Sequence, residues 1–293
     1  MPASPLVSVV VPSFNHEDLV EDCLRSVAAQ DWPRLELIVV DDASRDGTFE
    51  HVERLARDPA FLERFGGRVR IQRNPQNLGA HATLNRAIAL ADGEFVGILN
   101  SDDRYAPARV ATLLRELQDG AQLAFSAVRM IDRSSRDITE EDWFASRLSH
   151  SQRSAGAMPS VGFALLRENV AISTGNLIFR RSLFERVGGF RPLLYCHDWD
   201  FLLRSVLVAE PAFVPALLYE YRIHETNSYR ALGEVAVRET EAVLISYFSA
   251  VRRGCFANPL APAPANWPGL FETMMSVLGL GKFWEQAQRC AVE

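Results

Sequence analysis

At 293 residues the chain can hold one large domain or two small ones, and 48% apolar with 23% charged residues is the composition of a soluble globular protein with a sizeable core. A net charge of −6 argues against a nucleic-acid binder, which presents a basic face; the local arginine-rich stretches, Arg64 to Arg73 and Arg129 to Arg153, still leave room for an anion site. No apolar run approaches the roughly 20 residues that span a bilayer, Met1 to Pro5 lacks a charged n-region, and Val7 to Val11 is too short for a signal h-region. The expectation is a cytoplasmic protein without a transmembrane segment. Its four cysteines, Cys23, Cys196, Cys255 and Cys290, fit no metal spacing and read as reduced thiols.

Val7 to Val11 is a β-branched run, the pattern of a strand buried on both faces, and Pro12 is expected to end it. Asn15 reads as the N-cap of a helix whose one face carries Leu19, Val20, Cys23, Leu24, Val27 and Ala28, closed by Trp32-Pro33. Leu35 to Val40 is a second strand, Asp46-Gly47 a turn, and a helix runs from Thr48 to the Asp58-Pro59 break. A short strand over Arg68 to Gln72, a helix over Ala80 to Leu90 and a strand over Phe95 to Leu99 follow. Pro107 opens another helix, and Leu123 to Val128 is a fifth strand. Strands alternating with amphipathic helices predict a mostly parallel sheet covered on both faces, with ligands at the carboxyl ends of its strands.

From Arg129 to Pro159 the pattern turns polar and loop-like and predicts a lid, a binding loop or disorder. Ala171 to Phe179 reads as a strand, Asp198 to Val208 as a helix, Phe213 to Ile223 as strand segments and Glu234 to Arg253 as a long amphipathic helix. Asn258 to Pro268 carries four prolines and reads as a linker before a terminal helical piece, Gly269 to Gln288.

Three acidic clusters stand out. Asp41-Asp42 and Asp102-Asp103 directly follow strand-like runs, and Asp198-x-Asp200 opens an apolar one. Carboxylates at the end of a buried strand are poorly solvated and repel each other. Their usual users are a metal ion, a diphosphate carried on that metal, or a proton to be removed. Asp41 or Asp42 can accept hydrogen bonds from a nucleotide base or ribose; a helix cap is the plainer alternative, though Asp46 or Thr48 is better placed for it. Gly79, after Asn77 and Leu78, could let backbone amides approach a phosphate at a helix start, or could simply supply a flexible turn.

The segments Val7-Ser-Val-Val-Val-Pro-Ser-Phe-Asn15, Leu37-Ile-Val-Val-Asp-Asp-Ala-Ser44, Asn77-Leu-Gly79, Leu99-Asn-Ser-Asp-Asp103 and His197-Asp-Trp-Asp200 occur in this order. Together they resemble the signature of family 2 glycosyltransferases over about residues 5–228. The resemblance implies an α/β fold of GT-A type: a nucleotide-binding, mostly parallel sheet flanked by helices, here with a C-terminal helical extension. It implies a catalytic domain over 1–230, split into a nucleotide-sugar half (1–105) and an acceptor half (106–230), and an extension over 231–293. It also implies transfer of a sugar from a nucleotide diphosphate, with a uridine donor expected because most of the family use one, and inversion at the anomeric carbon.

By the same resemblance Pro12, Ser13, Phe14, Asn15, Asp41 and Asp42 line the nucleoside, with Phe14 against base or ribose. Arg73, Asn77 and Gly79 serve the diphosphate, and Asn100 and Ser101 the donor. Asp102, Asp103 and His224 hold Mn²⁺ or Mg²⁺, and Asp198 is the general base. The chain departs from the family at Asn100, where the first Asp of the metal motif is usual, at Leu84, where Arg is frequent, and at His197, where Glu is common. His81 and Arg73 are candidate replacements for the missing Arg, and Arg222 is an alternative diphosphate ligand. The partners implied are a nucleotide sugar and a saccharide or lipid-linked acceptor. The terminal helices are candidates for homodimer contact or docking at the inner face of the membrane. Two rival enzyme classes lack their marks, since no glycine-rich loop follows the first strand as in nucleotidylyltransferases and Rossmann dehydrogenases. A catalytically weak sugar-nucleotide-binding or assembly module is the remaining alternative.

Overall fold

In the computed structural model, which describes residues 4–225 and 233–289, the N-terminal β-branched run forms strand β1 (Val7–Ser13) and carries it through Pro12. The proline is tolerated for a local reason. Ser13 O accepts from Asp42 N at 2.8 Å and Val10 O from Leu99 N at 3.0 Å, so alternation turns Pro12 towards a neighbour that has already ended. Helix α1 (Val20–Ala28) begins later than expected. Asn15 is not its N-cap: it takes the left-handed conformation, φ 55°, and its Oδ1 accepts from Arg45 N at 2.8 Å.

β2 (Leu35–Asp41), α2 (Thr48–Ala56), α3 (Pro59–Arg64), β3 (Val69–Arg73), α4 (Ala80–Ala89) and β4 (Phe95–Ile98) follow the predicted alternation. Next come β5 (Arg104–Tyr105), α5 (Arg109–Gln118) and β6 (Leu123–Ile131). The stretch expected to be an irregular loop is partly regular. β6 runs on to Ile131, and α6 (Trp143–Ser154) is capped by Asp142, whose Oδ1 accepts from Ala145 N at 2.9 Å. The helix buries only Ala145, Ser149 and Gln152, so it carries no apolar stripe to detect. α7 (Val161–Arg167) precedes a segment that is mostly not strand: a single 3₁₀ turn over Thr174–Asn176, then β7 (Ile178–Arg180). α8 (Arg181–Val187), α9 (His197–Val206), β8 (Ala212–Arg222), α10 (Gly233–Arg252), α11 (Leu270–Val277) and α12 (Gly281–Arg289) complete the described chain. Cys290 lies outside the described residues; Cys23, Cys196 and Cys255 are free thiols.

The eight strands form one sheet in the order β3-β2-β1-β4-β7-β6-β8-β5. β3, β2, β1 and β4 are parallel, β7 runs antiparallel between β4 and β6, β8 is parallel to β6, and β5 closes the edge antiparallel to β8. Strand alternation divides the core. Val7, Val9 and Val11 bury with α1 and α5 residues on one face, while Val10, Ile38 and Val40 bury with α4, α7 and α9 on the other. The second core continues into α10 through Val243, Leu244, Tyr247 and Phe248. The proline-rich stretch is packed rather than free: Asn258, Ala261 and Ala263 are buried, and Asn258 Nδ2 donates to Val206 O at 2.8 Å and Glu210 Oε2 at 3.0 Å.

Candidate active site

The parallel strands β2, β1 and β4 end side by side, and this brings the first two acidic clusters to one edge. Three of the four non-glycine residues at positive φ among the described residues sit around that edge: Asn15 after β1, Ala43 after β2, and Ile172 before the 3₁₀ turn. Such strain concentrates where a fold over-determines a site.

Asp41 is fully buried at the end of β2. It accepts from Ser44 N at 3.0 Å, from the Ser44 hydroxyl and from Ser13 Oγ at 3.4 Å, and pairs with Arg73 Nε at 3.2 Å. Arg73 also donates to Ser44 O at 2.5 Å and lies over the Phe49 ring, so its guanidinium serves this corner. Phe14 stands beside the corner, 39% exposed, a large ring with a face open to solvent. Pro12 and Ser13 are the last residues of β1.

Asp42 turns the other way. Its carboxylate accepts from Asn74 Nδ2 at 2.6 Å, Leu78 N at 2.8 Å and Gly79 N at 2.9 Å. The amide of Gly79, expected to face a phosphate, is therefore already satisfied by a carboxylate that caps the approach to α4. Gly79 itself is needed for φ 84°. Asn77 is exposed beside it, and Leu84, at the position where Arg is frequent in the family, is buried in the core.

The loop after β4 splits its two aspartates. Asp102 Oδ2 lies 3.0 Å from His224 Nε2 and 3.9 Å from His16 Nε2. One donor atom from each of these residues falls within 4.8 Å of the others. His16 is held from both sides: its backbone N donates to Thr48 Oγ1 at 2.7 Å, and its Nδ1 is 2.8 Å from Ser101 Oγ. With Nδ1 bonded to the hydroxyl, Nε2 is the nitrogen turned to Asp102. Burial alone would raise the Asp102 carboxyl; the His224 hydrogen bond and the two imidazoles outweigh it and hold it below the usual range. Two imidazole nitrogens and one carboxylate gathered this closely fit a divalent cation. The nitrogen content suits Mn²⁺ better than Mg²⁺, whose shell is oxygen. Reasoning from sequence missed His16. It is an ordinary loop residue by spacing, and only its place just past the β1 end hinted at a site.

Asp103 is turned inward, away from those imidazoles. It accepts from Tyr219 Oη at 2.5 Å, Arg222 N at 2.8 Å and Asn100 Nδ2 at 3.3 Å, and burial beside the Asp102 charge pushes its carboxyl up. Arg222, the alternative candidate for the diphosphate, is turned inward as well. It is 1% exposed and spends its guanidinium on Asp102 O, Asp132 O, Arg133 O, Ser135 Oγ and Asp22. Asn100 Nδ2 also donates to Ser173 Oγ at 2.9 Å, so the residue that replaces the usual Asp ties the loop to the 3₁₀ turn. Gly175 in that turn has no room for a side chain: a Cβ would lie 2.0 Å from Tyr219 Oη and 2.8 Å from Asn100 N. Gly175→Ala must displace Tyr219 from Asp103. It is expected to cost about 1–3 kcal/mol in denaturant unfolding, as overpacking does.

The same turn reaches the third acidic cluster. Thr174 Oγ1 is 3.1 Å from His197 Nε2 at the start of α9. Burial lowers the His197 pKa and so favours the uncharged ring, and its Nδ1 is a buried atom without a hydrogen-bond partner. Asp198, 8% exposed, accepts from Asn169 Nδ2 at 2.9 Å and Trp199 N at 2.7 Å, and burial raises its carboxyl above the usual range. Asp200 has a different task, pairing with Arg204 at 2.6 Å and Arg191 at 3.2 Å. A charge on His81 adds to the lowering of the His197 pKa, whereas Arg73 lies with Asp41.

Residues 8–188 match the family described as Glycosyl transferase family 2. An uncharacterized protein of Mycobacterium tuberculosis is 32% identical over 96% of this chain and 87% of its own length. A GalNAc(5)-diNAcBac-PP-undecaprenol beta-1,3-glucosyltransferase of Campylobacter jejuni is 34% identical over 40% of this chain, which spans only 36% of that protein. Among solved structures, the mannosyltransferase PcManGT of Pyrobaculum calidifontis, in complex with GDP-Man and Mn²⁺, superposes with a TM-score of 0.63 at 21% identity, over 98% of this chain and 74% of that one. That likeness is one of fold: a mostly parallel sheet flanked by helices, of GT-A type. With strands, strand-end acids and more than half its length following one pattern, the chain belongs to glycosyltransferase family 2.

Proposed function

We propose that this protein is a metal-dependent, inverting glycosyltransferase that moves a sugar from a uridine diphosphate donor to a hydroxyl of a saccharide or lipid-linked acceptor, in the synthesis of a cell-surface polysaccharide or glycoconjugate. The observation that carries this reading is the pairing of two different sites across one short turn. Ser173 in that turn bonds Asn100, two residues before Asp102 of the His16–Asp102–His224 cluster, and Thr174 bonds His197, the neighbour of the buried carboxylate of Asp198.

In this reading Asp41, with Arg73 against it, receives the nucleoside, and the open face of Phe14 stacks on base or ribose. Ser13 and Asn15 shape the same corner. His16, Asp102 and His224 would hold Mn²⁺ or Mg²⁺, which when bound neutralises the charge that builds on the diphosphate as the glycosidic bond breaks. Asp103 supports the loop through Tyr219 and is assigned no ligand role. Asp198 accepts the proton of the acceptor hydroxyl as that oxygen bonds to C1 on the face opposite the diphosphate. Its raised pKa suits this work, because a stronger base takes a hydroxyl proton more readily in the transition state.

The donor half is assigned to 1–105, the acceptor half to 106–230 and the helical extension to 231–293. No described helix is long and apolar enough to cross a membrane. We place the protein on the cytoplasmic side, where it can meet lipid-linked acceptors at the membrane surface. The test is a thermal-shift panel of UDP-glucose, UDP-N-acetylglucosamine and GDP-mannose, each with Mn²⁺ and with EDTA. Stabilisation by a uridine donor only when Mn²⁺ is present is the expected result. A shift with GDP-mannose alone would overturn the uridine assignment, and no Mn²⁺ dependence with any donor would overturn the metal-dependent reading.

A further inference from the structure

The helix that carries Asp198 has no side-chain cap of its own, for Cys196 precedes it without a capping hydrogen bond. The acceptor for the amides at its entrance comes from elsewhere. Glu239, on α10, accepts three consecutive backbone N–H groups: Leu194 N on Oε1 at 2.8 Å, and Tyr195 N and Cys196 N on Oε2 at 2.8 and 2.9 Å. A carboxylate that takes three amides at a helix entrance makes charge-assisted bonds in a favourable position for the helix dipole. Two further contacts run between the same elements. Thr240 Oγ1 lies 3.6 Å from Cys196 Sγ, and Arg191 bridges Ser246 on α10, at 3.3 Å, to Asp200 on α9, at 3.2 Å.

The grip falls immediately ahead of the residue that matters. Cys196 is two positions before Asp198, and the side chain of Asp198 is otherwise located only by Asn169 and by the Trp199 amide. A small rotation of the first turn of α9 would swing Asp198 relative to the Ser173-Thr174 turn. α10 lies beyond residue 188, where the match to the family ends, so Glu239 is not part of the signature that identifies the chain.

We propose that Glu239 is a positioning residue for sugar transfer: its carboxylate fixes the Leu194–Cys196 entrance to α9 and so aims Asp198 at the acceptor hydroxyl. The inference rests on Asp198 being the base. It makes the C-terminal helices a working part of the enzyme rather than an appendage.

The experiment uses the full chain with Mn²⁺ and compares Glu239→Ala, Glu239→Gln and Asp198→Asn for release of UDP from UDP-N-acetylglucosamine, for UDP affinity by calorimetry and for thermal unfolding. Glu239→Ala is expected to lower kcat on the order of tenfold or more, since misplacement by about 1 Å can cost up to a hundredfold. UDP affinity and donor KM should stay within about twofold, because Glu239 touches nothing on the nucleotide side. Glu239→Gln keeps one carbonyl oxygen where two of the amides meet, and should recover most of the lost kcat. A Glu239→Ala protein with unchanged kcat overturns the proposal. So does one that loses UDP affinity in parallel with kcat, or a Gln variant as impaired as the Ala one. An active Asp198→Asn protein overturns the base assignment and this inference with it, whereas an inactive Asp198→Asn beside a fully active Glu239→Ala overturns this inference alone.

Discussion

Asp198→Asn is expected to lower kcat by about 10³-fold, a loss of roughly 4 kcal/mol of transition-state stabilisation, with nucleotide affinity nearly unchanged. The substitution is nearly isosteric. Asn can still accept from Trp199 N through its amide oxygen, so the start of α9 should keep its place. What it loses is the capacity to take a proton. The pH profile provides a second readout. Asp198 acts as the carboxylate, and burial raises its pKa, so kcat should fall as pH drops through a value above the ordinary carboxylate range. That acidic limb should vanish in the Asn variant. Steady-state kinetics across pH, with UDP calorimetry on both proteins, checks this; substantial residual kcat in the variant would remove Asp198 from the base role.

The second large effect is expected at the imidazole–carboxylate cluster. Asp102→Ala, His16→Ala and His224→Ala should each weaken Mn²⁺ binding by at least about 100-fold, since even an outer-shell partner of a metal ligand is worth 10–100-fold. Mn²⁺-dependent UDP affinity should fall with it, and EDTA should reproduce the effect in the parent protein. Asp103→Asn serves as the contrast. Its carboxylate binds Tyr219 and the Arg222 amide, so the cost should appear in thermal unfolding and leave Mn²⁺ affinity close to that of the parent. Direct Mn²⁺ titration followed by electron paramagnetic resonance separates the two aspartates without needing a substrate. Equal loss of Mn²⁺ affinity in Asp102→Ala and Asp103→Asn would contradict the division of roles.

That division could not be read from adjacent letters. Asp102 and Asp103 are neighbours on one loop with the same side chain, and only the direction in which each leaves the backbone separates them. The same holds for Asp41 and Asp42. Both follow a buried strand, yet one stays with Ser44 and Arg73 while the other reaches Asn74 and the Leu78 and Gly79 amides. Arg222 and Gly79 were candidates for the diphosphate by position along the chain. In the fold the first is spent on carbonyls and Asp22, and the amide of the second on Asp42. Helix α6 escaped notice because its buried face is Ala, Ser and Gln rather than apolar.

The sequence by itself determined the α/β alternation, the strand ends that gather the acids, and the family. These follow from local patterns: β-branched runs, amphipathic spacing and short motifs whose order along the chain is preserved. Tertiary structure decided what no local pattern encodes. It brought His16 and His224, more than 200 positions apart, to the same Asp102, and set Glu239 of α10 against the entrance of α9. Contacts of that kind depend on where the sheet returns each strand end and on which way each side chain points, and both are settled only when the two cores close.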